Sequence, residues 1–336
     1  MKVLTIYNCG TAFDRNSNDL IANLASRTNG VEGKDWIINA GPGSEEAVNS
    51  NETPFGIADQ LTGVGMYPAA IVSYRKIIEL APSVVNMIGW SRGSITSLMI
   101  ARCIANQNIS CNMLIFDPVV GDPLLNGFIH QSAPINSIGS HVKSLHIIQQ
   151  YDATDFIFQA HVAHNNNAQS SMIYQLPGPH SGAVVQGEEK YRPVYDIGKG
   201  LAENFLINNK SSVKGTQTAN SQFFLEKYSQ LWLNLVGNSI AYVTNAESAL
   251  LTNRNSTVAN GNAMVRRVVF NQHHIGVLNS QAPKSALALM YVMTTKQRPS
   301  QKIIDNSKRE RDSLSSSLIY TRQYLEKALL WLNMYN

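Results

Sequence analysis

Residues 84–105 read VVNMIGWSRGSITSLMIARCIA. The stretch falls into three parts: a β-rich apolar run from Val84 to Ile88, a turn of pattern G-x-S-x-G from Gly89 to Gly93, and a segment from Ser94 to Ala105 that is apolar on nearly every side. A short apolar run bounded by glycine predicts a buried strand, and the longer segment predicts a buried helix. A strand running straight into a glycine-bounded serine, with a helix directly after it, is the layout of a nucleophile elbow. Such a turn holds the serine in a strained backbone conformation and projects its hydroxyl into a cleft. A Cβ on either glycine would collide with the neighbouring strand or helix. The start of the helix then presents N–H groups and a favourable dipole to a negatively charged oxygen. The competing reading is a structural serine in a glycine-rich turn, so the rest of the chain has to supply specificity.

Outward from this turn, strands alternate with helices. Val3–Tyr7 and the run DWIINA from Asp35 predict strands, the second closed by GPGS. Apolar residues at Ile71, Tyr74, Ile77 and Ile78 predict a helix that Pro82 stops. NMLIF from Asn112, SLHII from Ser144 and SMIYQL from Ser171 predict three more strands. Units of this kind imply an α/β fold: a mainly parallel, α/β-hydrolase-like sheet covered by helices on both faces, with ligands at the carboxyl ends of its strands. The polar stretch 208–220 reads as a linker or long loop. Beyond it Phe224, Tyr228, Leu231 and Leu235 share a helical face, as do Leu314, Leu318, Leu325, Leu329 and Leu332. The expected organisation is a catalytic domain over 1–207 and a helical C-terminal region over 221–336 that forms a lid, a membrane-docking surface or a partner-binding surface.

Ser91 needs a base, and in this layout the chain order is serine, acid, histidine. His180, in LPGPHSG after the last clear strand, is the candidate base. Asp117 ends the strand after the elbow helix, and Asp152 and Asp155 follow the next strand. Position leaves the choice of acid open; Asp117, between Phe116 and Pro118, is the more enclosed. His161 and His164 have spacing that suits a metal but no adjoining carboxylate or cysteine, and His273 and His274 lie in the helical third. Structural or surface roles are expected for both pairs, with no metal and no cofactor.

Bulk properties exclude several classes. The chain has 336 residues, 44% hydrophobic and 15% charged, with a formal charge of +4. Its basic residues are scattered, which argues against a nucleic-acid groove. Cys9, Cys103 and Cys111 are odd in number and lack metal-ligand spacing, so a disulfide framework is not expected. The apolar run at the start is too short for a signal-peptide core, and no stretch reaches the roughly 18 apolar residues of a membrane span.

VLTIYNCGTAFDRNSND, INAGPGS, TGVGM, MIGWSRGS, IFDPVVG and LPGPHSG occur in the order of corresponding motifs in the DUF2235-type family of α/β-hydrolases, which includes phospholipase effectors of bacterial type VI secretion. The chain resembles that family over roughly residues 1–205. The resemblance implies Ser91 as nucleophile, His180 as base and Asp117 as acid. It also implies an oxyanion hole formed by the backbone of Arg92 and of Gly10 or Thr11. Two departures stand out: Asn8 and Cys9 replace the family's aspartate, and the run after the histidine is shortened to HSGAV. Arg92 is a candidate for substrate phosphate, with a structural ion pair as its more ordinary role.

The expected activity is that of a serine esterase on lipids, of phospholipase A or lipase type. The expected setting is export from a bacterial cytoplasm, without a cleavable signal peptide, into a target cell, with peripheral membrane contact. A small-ester or thioester hydrolase is the enzymatic alternative. A hydrolase-fold scaffold that binds a host protein is the non-enzymatic one.

Overall fold

The computed structural model describes residues 2–49, 65–120, 137–150, 165–176, 178–187, 189–236, 300–314, 316 and 318–334. Strands β1 (Val3–Asn8), β2 (Trp36–Asn39), β3 (Val84–Trp90), β4 (Ser110–Phe116), β6 (Val142–Gln150) and β8 (Ser170–Leu176) form one sheet. A minor pair, β5 (Ser137–Ile138) and β7 (Asn165–Asn166), lies outside it. The order across the main sheet is β2-β1-β3-β4-β6-β8, and every pairing is parallel. The fold is therefore the expected α/β class. The chain steps from β1 to β2 on one side and then returns to place β3 on the other. The carboxyl ends of β1 and β3 thus flank the switch point where open α/β sheets hold ligands.

Successive strand residues face opposite layers, as a period of two requires. In β3, Val85 and Met87 enter one layer while Ile88 and Trp90 enter the other; in β4, Met113 and Ile115 oppose Leu114 and Phe116. Both layers are largely apolar, which is why the strands read as hydrophobic on both faces rather than as alternating, broken only by buried polar residues such as Thr5, Asn86 and Asn112. Helices α3 (Met66–Leu80) and α4 (Arg92–Cys103) cover one face through Ile77, Ile95 and Leu98. Helices α1 (Leu20–Ser26) and α5 (Arg192–Asn208) cover the other through Leu24, Ile197 and Phe205. A short helix, α2 (Glu45–Asn49), follows β2. Each fully buried Leu or Ile contributes about 1.5–3 kcal/mol relative to exposure, so these two layers hold the helices in place.

The observed boundaries refine the sequence expectations. Helix α4 starts at Arg92 instead of Ser94, directly after the serine, and β3 continues through Gly89 to Trp90. Residues 209–220 are held against the sheet's base: Ser211 Oγ lies 2.7 Å from Thr5 Oγ1, and Val213 bridges to Thr28. Helix α6 (Ser221–Val236) packs Phe224, Leu225, Tyr228 and Leu231 into the layer that covers β8 and α5. Of the C-terminal leucine face, Leu314 is the extended C-cap of α7 (Gln301–Ser313), Leu318 precedes α8 (Ile319–Met334), and Leu325 is buried within α8. Glu226 joins α6 to α8 by accepting from the Tyr320 and Thr321 N–H groups at 2.7 and 2.9 Å, an anionic cap on a helix N-terminus. Residues 237–299, with His273 and His274, lie outside the described residues. All three cysteines are free. Among the described residues no helix is long and apolar enough to cross a membrane.

Candidate active site

Ser91 sits between the last residue of β3 and the first of α4 with φ 55° and ψ −122°, a conformation that non-glycine residues rarely adopt. The surroundings over-determine it. The Ser91 N–H donates to Phe116 O at 2.9 Å, and Ser91 O accepts from Ser94 N and Val119 N at 3.1 and 3.2 Å. Gly93 is required by close approach, since a Cβ there would run into the carbonyl oxygens of Asn8 and Cys9. On Gly89 a Cβ would lie 2.6 Å from Gly93 O. The elbow and the loop after β1 therefore abut through backbone.

His180 approaches from the loop after β8. Its Nε2 lies 2.8 Å from Ser91 Oγ and its Nδ1 lies 2.7 Å from Asp117 Oδ2. With a carboxylate at Nδ1, that nitrogen carries the proton and donates. Nε2 is left to accept from the serine hydroxyl. Asp117 ends β4 with φ 36° and is 1% exposed. Its backbone is held by Asp117 N donating to Ile148 O at 2.6 Å, and its Oδ1 accepts from Gln150 N at 3.1 Å. The structure thus brings together three side chains that the sequence nominated separately. Asp152 and Asp155, the alternative acids, lie outside the described residues, as do His161 and His164.

The loop after β1 carries Gly10 and Thr11. Thr11 Oγ1 accepts from Arg92 Nη1 at 2.7 Å, so the first residue of α4 grips the loop. Arg92 is 1% exposed, and burial lowers its pKa to about 10, which leaves it cationic at neutral pH. The guanidinium is turned into the protein, not toward solvent where a phosphate would meet it. Beneath the loop a buried polar chain ties β1, β2, α3 and α4 together. Asn8 Nδ2 donates to Ser97 Oγ at 2.7 Å, and Asn39 Nδ2 donates to Asn8 Oδ1 and Ser73 Oγ at 2.6 and 2.8 Å. Asn8, which replaces an aspartate of the resembled family, works here as a neutral bridge between strands. Cys9, beside it, has its thiol pKa raised well above the ordinary value by burial, so it stays protonated and is a poor nucleophile.

Two contributors escaped the sequence reading. Gln150, whose N–H meets the acid, belongs to a buried polar pair that ends an apolar strand, a pattern visible in HIIQQ. Trp90 lies inside the quoted turn, with its ring 5.8 Å from that of His180. Among the described residues no group of three His, Cys, Asp or Glu side chains could hold a metal ion. Chemically, the arrangement can deprotonate a serine during attack on a carbonyl and hand the proton on to a leaving group. The chain matches no protein-family model, and no curated protein matches it.

Proposed function

We propose that the protein is a serine hydrolase of carboxylic esters, with Ser91 as nucleophile, His180 as general base and acid, and Asp117 as the orienting carboxylate. One observation carries this reading: the strained Ser91 hydroxyl, His180 and Asp117 form a continuous relay at 2.8 and 2.7 Å. Ser91 Oγ attacks the ester carbonyl as its proton passes to His180 Nε2. Asp117 stabilises the resulting imidazolium, and the negative oxygen is held by the N–H of Arg92 together with that of Gly10 or Thr11. Collapse of the intermediate expels the alcohol, which takes the proton from His180. A water activated by the same histidine then releases the acid.

The lipid class of substrate, of phospholipase A or lipase type, rests on the motif resemblance of residues 1–205. So do export from a bacterium into a target cell and peripheral membrane contact. The test is labelling of the folded protein by a fluorophosphonate probe, with Ser91→Ala and His180→Ala as controls, followed by hydrolysis of phospholipid vesicles and of short-chain esters. Labelling lost in both variants, with release of fatty acid from vesicles, supports the reading. A folded, unlabelled wild type overturns it. Labelling with turnover of short esters only replaces the lipid assignment by a small-ester hydrolase.

A further inference from the structure

The G-x-S-x-G pattern leaves its second position open, and here it is filled by Trp90. A residue that merely filled space beneath the serine could be any large apolar side chain, but the contacts of this one are particular. Its ring lies 5.8 Å from the His180 imidazole with the planes tilted by 32°. Its Nε1–H donates to the main-chain oxygen of His180 at 3.4 Å. Phe13 meets it edge-on at 4.7 Å. Gly10 presses on its six-membered ring so closely that a Cβ there would lie 2.5 Å from Cε3 and 2.9 Å from Cζ3. Gly10 and Phe13 belong to one turn, since Phe13 N donates to Gly10 O at 3.0 Å. The indole, 3% exposed, therefore fills the space between the turn after β1 and the loop that carries His180.

On the reading of the site proposed above, we infer that Trp90 is a positioning residue that sets the spacing between the oxyanion loop and the general base and passes a displacement of one to the other. Close-packed interiors transmit such displacements instead of absorbing them. A misplacement of about 1 Å in a site of this kind costs about 100-fold in rate. The indole combines a ring beside the imidazole, a donor for the His180 carbonyl and a fused ring that reaches Gly10.

Gly10→Ala drives a methyl into that fused ring, and Trp90→Phe removes the ring, so the pair tests the transmission. The expected fluorophosphonate labelling rates fall about 100-fold in Gly10→Ala and about tenfold in Trp90→Phe. The double variant should be no slower than Trp90→Phe, because the methyl then has room. Independent losses multiplying to about 1,000-fold overturn the inference. A second readout does not depend on activity: the NMR resonances of the His180 ring should shift in Gly10→Ala and stay in place when Gly10→Ala is added to Trp90→Phe. Phe13→Leu, which alters the edge contact on the same ring, provides the same comparison if Gly10→Ala does not fold. An unlabelled wild type removes the hydrolase reading and leaves the His180 resonances to decide the coupling. Labelling with resonances indifferent to Gly10 and Phe13 keeps the hydrolase and removes the coupling.

Discussion

The middle of the sheet and its carboxyl edge bury polar groups to opposite ends. Thr5, Asn86 and Asn112 are register partners across β1, β3 and β4, and their side chains are joined in one row that ends on the segment after α5. Asn112 Nδ2 donates to Asn86 Oδ1 at 2.9 Å, and Asn86 Nδ2 donates to Asn209 O and Ser211 Oγ at 2.8 and 2.9 Å. Thr5 Oγ1 closes the row on Ser211 at 2.7 Å. A few residues further along the same strands, Ser91 and Asp117 stand at positive φ, and their side chains are aimed at a histidine from another loop. The row of amides anchors the segment after α5, whereas the carboxyl edge stores strain and offers a hydroxyl. Strain of about 1–3 kcal/mol per such residue persists only where the surroundings dictate it, and here the backbone clamp on Ser91 does so. One sheet thus separates the polar residues that tie the fold together from those of the proposed triad.

Substitutions at the two places should divide along that line. The largest effect is expected at the edge: Ser91→Ala or His180→Ala should lower esterase turnover by on the order of 10⁶ while leaving the unfolding midpoint nearly unchanged. A parallel collapse of stability would sink the division. Asp117→Asn should cost about 10⁴ in kcat, because an amide in place of Oδ2 favours the wrong imidazole tautomer. Turnover near wild type in that variant would transfer the role of acid to Asp152 or Asp155.

Asp19, the N-cap of α1, tests the edge in another way. Its Oδ1 accepts from Ile21 N and Ala22 N, while its buried Oδ2 has no partner among the described residues. Burial raises its carboxyl from 3.8 to about 6. Because the folded state holds this proton more tightly than the unfolded chain, the protein should lose stability as pH rises from about 4 through about 6 and level off near pH 7 as far as this group is concerned. Asp19→Asn keeps a good cap and should remove that slope, raising stability at pH 7 by up to about 3 kcal/mol with no gain at pH 3.5. An unaltered slope in urea titrations across this range would reject the assignment. The smallest effect is expected in the amide row: Asn86→Ala should cost about 1–3 kcal/mol of stability by orphaning Asn112, with kcat per folded molecule unchanged. A loss of kcat there would show that the two places are not separate.

Much of this architecture was legible in the residues. The strand, turn and helix around Ser91 follow from local pattern, since a short β-rich run closed by glycine and followed by a longer apolar segment has the lengths and flanks of a buried strand and a buried helix. Helix α5 was not singled out, because its buried face is interrupted by Gly198 and Gly200 and its surroundings are rich in turn residues. The polar composition of 208–220 suggested a free connection. In fact its serine and asparagine groups are consumed by Thr5 and Asn86, which no local pattern reveals.

The sequence by itself determined the α/β class, the elbow at Ser91 and the nomination of His180, because each is written in the order and spacing of neighbouring residues. Tertiary structure alone decided that Asp117 meets His180, that Arg92 turns inward to Thr11, and that Trp90 stands between two loops. Those outcomes depend on distances between groups as far apart in the chain as the 63 residues from Asp117 to His180 and the 81 from Thr11 to Arg92. A side chain's type states what it can bond, but only the packed sheet states which partner comes within reach.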